Sequence, residues 1–301
     1  MSQTIGPVTS QKGPVCLAGG FGPVYGPGTP AFVLDQLSAF PAVAFSVRQL
    51  TAGQYARPYC MLVRRSSDNA TLNIGYVNGV LDVVSLLAFV GSGNGYVVTW
   101  YNQGSLGSAG DATQSTAASQ PQIVASGVVV TQNGVPSVYF SQTSLSIATG
   151  GVTGSASSTM NMVAAPPSGT NAVYCAFSFG TWSANATRAL GTQSNNTVYA
   201  AFTFYNDAYV SGVAAGVSKI LTAEFTASLV TLYVNGTSAA THAAALITSP
   251  ASGVLGDSPA LANSWNSYIQ EAMMFSTILS PSNQAALEVN QAAFFNIPGV
   301  T

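Results

Sequence analysis

The stretch "LVTLYVNGTSAATHAAALI", Leu229–Ile247, decides the fold class. Leu229, Thr231 and Tyr233 alternate with Val230, Leu232 and Val234, and a period of two marks a strand packed on at least one face. Asn235-Gly236 follows at once. A two-residue hairpin turn needs φ > 0 at both central positions, and Asn-Gly meets that demand at the lowest steric cost. A second strand is expected beyond it. Similar segments recur at roughly ten-residue spacing on both sides, among them "GVVVTQNGVPSVYF", "STMNMVAA", "AVYCAFSF", "TVYAAFTFYN", "KILTAEFT" and "SYIQEAMMFST". Short strands with turn signals between them predict a sandwich or barrel. Helices do not alternate with strands, which argues against a Rossmann or TIM-barrel arrangement.

Two helices are expected. "LDVVSLLAFVGSG" would place Val84, Leu87 and Ala88 on one face with Gly91 as its stop. "LSPSNQAALEVNQAAFF" would be capped by Ser280, with Pro281 at its first position and Ala285, Val289, Ala292 and Phe295 facing the core. "FVLDQLSAF" is a shorter helix candidate. Residues 1–30 hold seven Gly and five Pro, too many breakers for a long element. They read as an extended arm, either a disordered tail or a segment that orders against a partner. A β-sandwich domain is expected over residues 31–301.

Hydrophobic residues make up 48% of the 301-residue chain and charged residues only 5%. Ser, Thr, Asn and Gln supply the polarity instead, against about 25% charge in ordinary soluble domains. A net charge of −2 gives no reason to expect nucleic acid or an anionic membrane as partner. So uncharged a surface resists association poorly. It suits either a neutral secreted-type β protein or a surface covered by copies of itself and other partners. No apolar run is long enough for a membrane span, and "MSQTIGPVTSQKGPVC" lacks the features of a secretory signal peptide. Cys16, Cys60 and Cys175 are too few and too far apart for a disulfide framework. One histidine, His242, leaves no ordinary zinc site, and no cofactor is expected.

Several pieces together resemble a known family. "GVVVTQNGVPSVYF…SLSI", "LVTLYVNGTSAA" and "GVLGDS…SYIQEAMMFSTILSPSNQAAL" follow the order of a laminin-G-like, concanavalin A-like lectin/glucanase sandwich. "VRRSSDNATLNIGYVNGVLD", "LLAFVGSGNGYVVTWYNQG" and "DATQSTAASQPQIV" resemble the first part of arabinofuranosidase B catalytic domains, and still more the related domains of bacteriophage virion proteins. The likeness covers about residues 32–297. It implies an all-β jelly-roll sandwich with a C-terminal helix, descended from a retaining glycosidase. Such enzymes use two carboxylates about 5–5.5 Å apart. The family's acid/base Asp matches Asp257 in "VLGDSP". Its nucleophile Glu matches Asn206 in "FTFYNDAYVSG", where an amide cannot serve. Asp207 is adjacent but would point to the opposite face of a regular strand. The family's paired cysteines under the sugar match a single Cys175.

With three Glu and six Asp in the chain, carboxylate pairs are scarce. Glu271 reads as a structural carboxylate bonded to a loop backbone and Glu224 as a solvated strand residue. Asp257 reads as a turn former or a ligand contact. Arg57, Arg64, Arg65 and Asp68 suggest a local ion-pair group or a partner patch, and Gly91–Gly95 a turn. Trp182, Tyr205, Asn206, Asp257 and Trp265 could supply the aromatic face, amide and carboxylate that bind sugars, although each Trp could equally cover a sandwich edge. The expectation is a bacteriophage virion structural protein, a capsid decoration, head fibre or tail component. It would be assembled in the host cytoplasm in contact with other virion proteins and its own copies, and would bind host surface glycans without being an enzyme. The alternative is an arabinofuranosidase-type glycoside hydrolase.

Overall fold

The computed structural model describes residues 32–300 except Thr170, Asn171 and Leu261, with Ser238 by its backbone alone. The arm expected over residues 1–30 and Cys16 lie outside the described residues. Along the chain the strands are β1 Val43–Ser46, β2 Tyr59–Arg65, β3 Thr71–Val77, β4 Val80–Leu81, β5 Gly95–Trp100, β6 Ala112–Thr113, β7 Gln122–Ala125 and β8 Val128–Val129. There follow β9 Thr131–Gln132, β10 Val135–Pro136, β11 Val138–Tyr139, β12 Leu145–Ile147, β13 Ser158–Ala164, β14 Val173–Gly180, β15 Thr187–Gln193 and β16 Val198–Phe202. The last six are β17 Ala208–Ser211, β18 Lys219–Phe225, β19 Leu229–Val234, β20 Thr237–Ala243, β21 Gly253–Leu255 and β22 Tyr268–Phe275. Helix α1 spans Val83–Val90 and α2 spans Pro281–Phe295, and a 3-10 turn covers Val33–Gln36.

The strands form an antiparallel sandwich. One sheet runs β1–β22–β13–β18–β19–β20. The other runs β3–β2–β5–β6–β12–β21–β14–β15–β16–β17. The pairs β5–β7, β7–β11 and β11–β22 join the two at one side. The opening hairpin is β19–β20, with Asn235 at φ 51° and Gly236 at φ 81°, as the turn chemistry requires. Val230 and Leu232 enter the core beside Met160, Met162, Phe177, Phe179 and Met274. No helix among the described residues is long and apolar enough to cross a membrane.

Both helices form, each turned relative to expectation. On α1, Leu86 and Val90 are buried while Val84 is 81% exposed. Asp82 caps the helix through Ser85 N–H and Gly91 ends it at φ 67°. On α2 the Ser280 cap and Pro281 are as read, but Val289 is exposed and Gln284, Glu288 and Gln291 are buried. The cause lies beneath the helix. The first sheet presents Asn161, Thr222 and Glu271, and these bond Gln291 and Glu288. Polar matching acts beside the burial of Leu287, Ala292, Phe294 and Phe295 in setting the angle of α2. Glu271 is indeed structural, but its partner is Arg48 at 2.9 Å, both fully desolvated, rather than a loop backbone.

The Arg group separates. Arg65 pairs with Asp68 and Arg57 with Asp111. Arg64 instead donates to Gln120 Oε1, Asn69 Oδ1 and Ala117 O. Residues 91–95 form a turn leading into β5. Cys60 and Cys175 are free and buried.

Candidate functional site

β14 is buried on both faces. Phe177 and Phe179 point into the sandwich, while a bulge between Cys175 and Phe177 turns Cys175 outward. There Cys175 packs with Ala189, Ala200 and Phe202, and Trp182 covers them. Two loops border this patch. In one, Gly256 N–H donates to Ala176 O, Ser264 bridges Cys175, and Cys175 N–H donates to Asn263 O. Asp257 cinches that loop: Oδ1 accepts from Ser258 N–H at 2.7 Å and Asn263 N–H at 2.9 Å, and Oδ2 accepts from Ser264 Oγ at 2.8 Å.

The other loop joins β16 to β17. Phe204 and Tyr205 both adopt left-handed backbone, at φ 63° and 83°. For bulky residues this is strained by about 1–3 kcal/mol each. The kink breaks the period-two rule on which the sequence reading placed Asp207 on the far face. Asp207 turns inward instead and is only 6% exposed. Its Oδ1 accepts from Thr203 N–H at 2.8 Å, and its Oδ2 from Tyr209 Oη at 2.8 Å. The same kink lifts Tyr205 to 78% exposure and stacks Phe204 between Tyr205 and Trp182, with ring centroids 4.5 and 5.2 Å away.

Asp257 lies in the loop bridged to Cys175, and Asp207 in the loop whose Phe204 packs on Trp182. Burial pushes the Cys175 thiol well above its ordinary value, and the charges of Asp257 and Asp207 push it further. Burial followed by the Asp207 charge likewise raises the Tyr209 phenol. No described cation bonds to either carboxylate. Arg48, Arg57 and Arg65 are committed to carboxylates elsewhere. Arg188 lies under the sheet and donates to Thr248, Ser158, Gly154 O and Ala156 O; burial lowers its value to about 10.

Of the five residues read from sequence, Trp182 and Tyr205 pack on either side of Phe204, Asn206 follows in the same loop, and Asp257 lies in the second loop bordering the Cys175 cluster. Asn206 is a brace, its Nδ2 donating to Asn185 Oδ1 at 2.7 Å. Trp265 is not part of the exposed face. It is 0% exposed within the core, its indole N–H donating to Tyr268 O, because the bridged loop folds it inward. Sequence reading set Asp207 aside as facing away and did not single out Phe204 or Tyr209. The run of three aromatics around Asp207 in "FYNDAY" was the signal. His242 is exposed on β20 and bonded to Ala243 O. A smaller cavity of about 160 Å³ lies beside α2, lined by Glu224, Glu288 and Tyr233. Glu224 is thus half-buried rather than solvated.

The sequence matches no family model and no curated protein. Solved structures do share its fold. An arabinofuranosidase complexed with arabinofuranosyl-α-1,2-xylobiose aligns at TM-score 0.69 and 17% identity, over 87% of this chain and 64% of that one. A GH54 α-L-arabinofuranosidase soaked with a cyclic sulfate inhibitor aligns at TM-score 0.68 and 15% identity, with the same coverages. The chain spans just under two thirds of their length, and at this identity the likeness is one of fold.

Proposed function

We propose that this protein binds neutral glycans on the Trp182–Asp257 patch. One observation carries the reading: the two loops that border the Cys175 patch beside Trp182, Phe204 and Tyr205 each hold a buried, hydrogen-bonded carboxylate, Asp207 in one and Asp257 in the other. Aromatic faces take the C–H side of a sugar ring, and fixed carboxylates take hydroxyl protons. Two carboxylates bordering the patch with no described counter-charge disfavour an anionic sugar, so the reading is of neutral glycans. A 5% charged composition supports display as many copies in contact, as in a bacteriophage virion assembled in the host cytoplasm with other virion proteins. The sequence resemblance to virion domains supports the same setting.

Binding without hydrolysis is the primary reading, because every oxygen of both carboxylates already accepts an internal hydrogen bond. Two buried carboxylates in the loops bordering one patch favour one second reading, an arabinofuranosidase-type hydrolase with Asp207 in the nucleophile's place. A glycan array with labelled protein tests the first. Wild type should bind neutral glycans, and Trp182→Ala or Asp257→Asn should weaken binding at least tenfold. Binding confined to sialylated glycans would refute it. Release of nitrophenol from 4-nitrophenyl α-L-arabinofuranoside, lost in Asp207→Asn, would establish the hydrolase instead.

A further inference from the structure

A different face carries a second row of sugar-compatible side chains. The registers Arg64↔Tyr96, Tyr96↔Gln122, Gln122↔Tyr139 and Tyr139↔Tyr268 align five residues across β2, β5, β7, β11 and β22. Directly opposed residues in an antiparallel sheet project to the same side. Successive steps are about 4.8 Å, so Tyr96 and Tyr139 stand roughly 10 Å apart with Gln122 between them. All five are partly exposed, and they cross the junction where the two sheets join.

The row borders a pocket of about 280 Å³, lined by Tyr96, Gln120, Gln122, Tyr139, Ser141 and Thr143. Its walls are already fixed. The Arg64 guanidinium lies 4.8 Å over the Tyr96 ring and grips the neighbouring loop through Gln120 and Ala117 O. Gln120 also donates to Gln114 O. Tyr139 packs on Tyr268 at 5.0 Å and donates to Asn266 at 3.5 Å. Gln122, at the centre, has no side-chain hydrogen bond to any described residue. Two phenol rings, an uncommitted amide and two hydroxyls around a preformed pocket are the ingredients of carbohydrate recognition, with little reorganisation left to oppose binding. Arg64 is the one cation at the row, and all its nitrogens are engaged within the protein, so the ligand need carry no charge.

We infer that the Tyr96–Gln122–Tyr139 row is a second carbohydrate site, taking a neutral segment of a glycan chain independently of the Trp182–Asp257 patch. Affinity electrophoresis of the full chain in gels containing soluble arabinoxylan, mixed-linkage β-glucan, glucomannan or dextran tests it. Trp182→Ala/Asp257→Asn protein, crippled at the first patch, should still be retarded by at least one polysaccharide. Adding Gln122→Ala and Tyr139→Ser should weaken that retardation about tenfold. To cover a folding defect in the variants, nitration of wild-type tyrosines by tetranitromethane, read by mass spectrometry, should show Tyr96 and Tyr139 protected by the retarding polysaccharide. Unchanged retardation after the row substitutions would overturn the inference, as would absence of protection or loss of all retardation in the first double variant. So would a wild-type oligomer that becomes monomeric with Tyr139→Ser, since the row would then be an interface between copies. Failure of the first patch alone leaves retardation intact, so the two readings fail separately.

Discussion

The outer faces of the two sheets bury carboxylates of the same kind and treat them oppositely. On the β22 face, Glu271 meets Arg48 and Gln291 under α2, and Arg48 lies 4.6 Å over the Phe294 ring. Charge meets charge, amide meets amide, and a helix seals the layer. On the β14 face, Asp207 and Asp257 accept from backbone N–H groups and hydroxyls, without a cation, under a loose aromatic rim. A buried carboxylate matched by a counter-ion and covered by a helix holds the fold. One held by dipoles and left under exposed rings remains able to act on something else.

The largest expected effect breaks the sealed side. Arg48→Met strands Glu271, and removing one partner of a buried pair costs about 3–5 kcal/mol; urea unfolding measures it. A loss below about 1 kcal/mol would mean the two faces do not differ as described. Asp207→Asn on the open side should cost only about 1–2 kcal/mol, from the Tyr209 and Thr203 hydrogen bonds, while glycan affinity falls about tenfold by titration calorimetry.

A pH series sharpens the contrast. Burial raises the Glu288 carboxyl above its ordinary 4.5, and Glu224 adds repulsion. Burial raises Glu224 as well, and burial with the charges of Glu224 and Glu288 pushes the facing Tyr233 phenol up to about 12. A carboxyl raised by folding holds its proton more tightly in the folded state. Its contribution is therefore whole below about pH 4.5 and lost as pH rises through the folded value. Glu288→Gln should raise the melting temperature at pH 7 and change it little at pH 4, as read by calorimetry. The reverse order would remove the raised carboxyl from the account of α2.

The smallest effect is a matter of order. Burial pushes the Cys60 thiol up to about 12 and also raises Cys175, so both should resist dithionitrobenzoate in native protein. On titration with urea, mass spectrometry should find Cys175 labelled before Cys60, because the open face loosens first. Labelling of Cys60 first would contradict that.

Local chemistry was readable directly. Asn235-Gly236 makes its turn wherever it stands, Ser280-Pro281 starts a helix, and Gly91 stops one, because each demand is met within a few residues. Trp182, Tyr205 and Asp257 were legible as residue types suited to sugar. Their assembly was not, nor was the exclusion of Trp265, since burial depends on strands distant in sequence. The side of the chain on which Asp207 projects was decided by two left-handed residues before it, which no alternation rule anticipates. The buried face of α2 kept Ala292 and Phe295 of the expected apolar face but added Gln284, Glu288 and Gln291, which meet the polar groups of β13, β18 and β22 in place of Ala285 and Val289. The sequence by itself determined the all-β class, the turns and the helix ends, because those follow from short-range sterics and hydrogen bonds. Only the tertiary structure decided which loops border one patch and which tyrosines share a row, because long-range strand register places them.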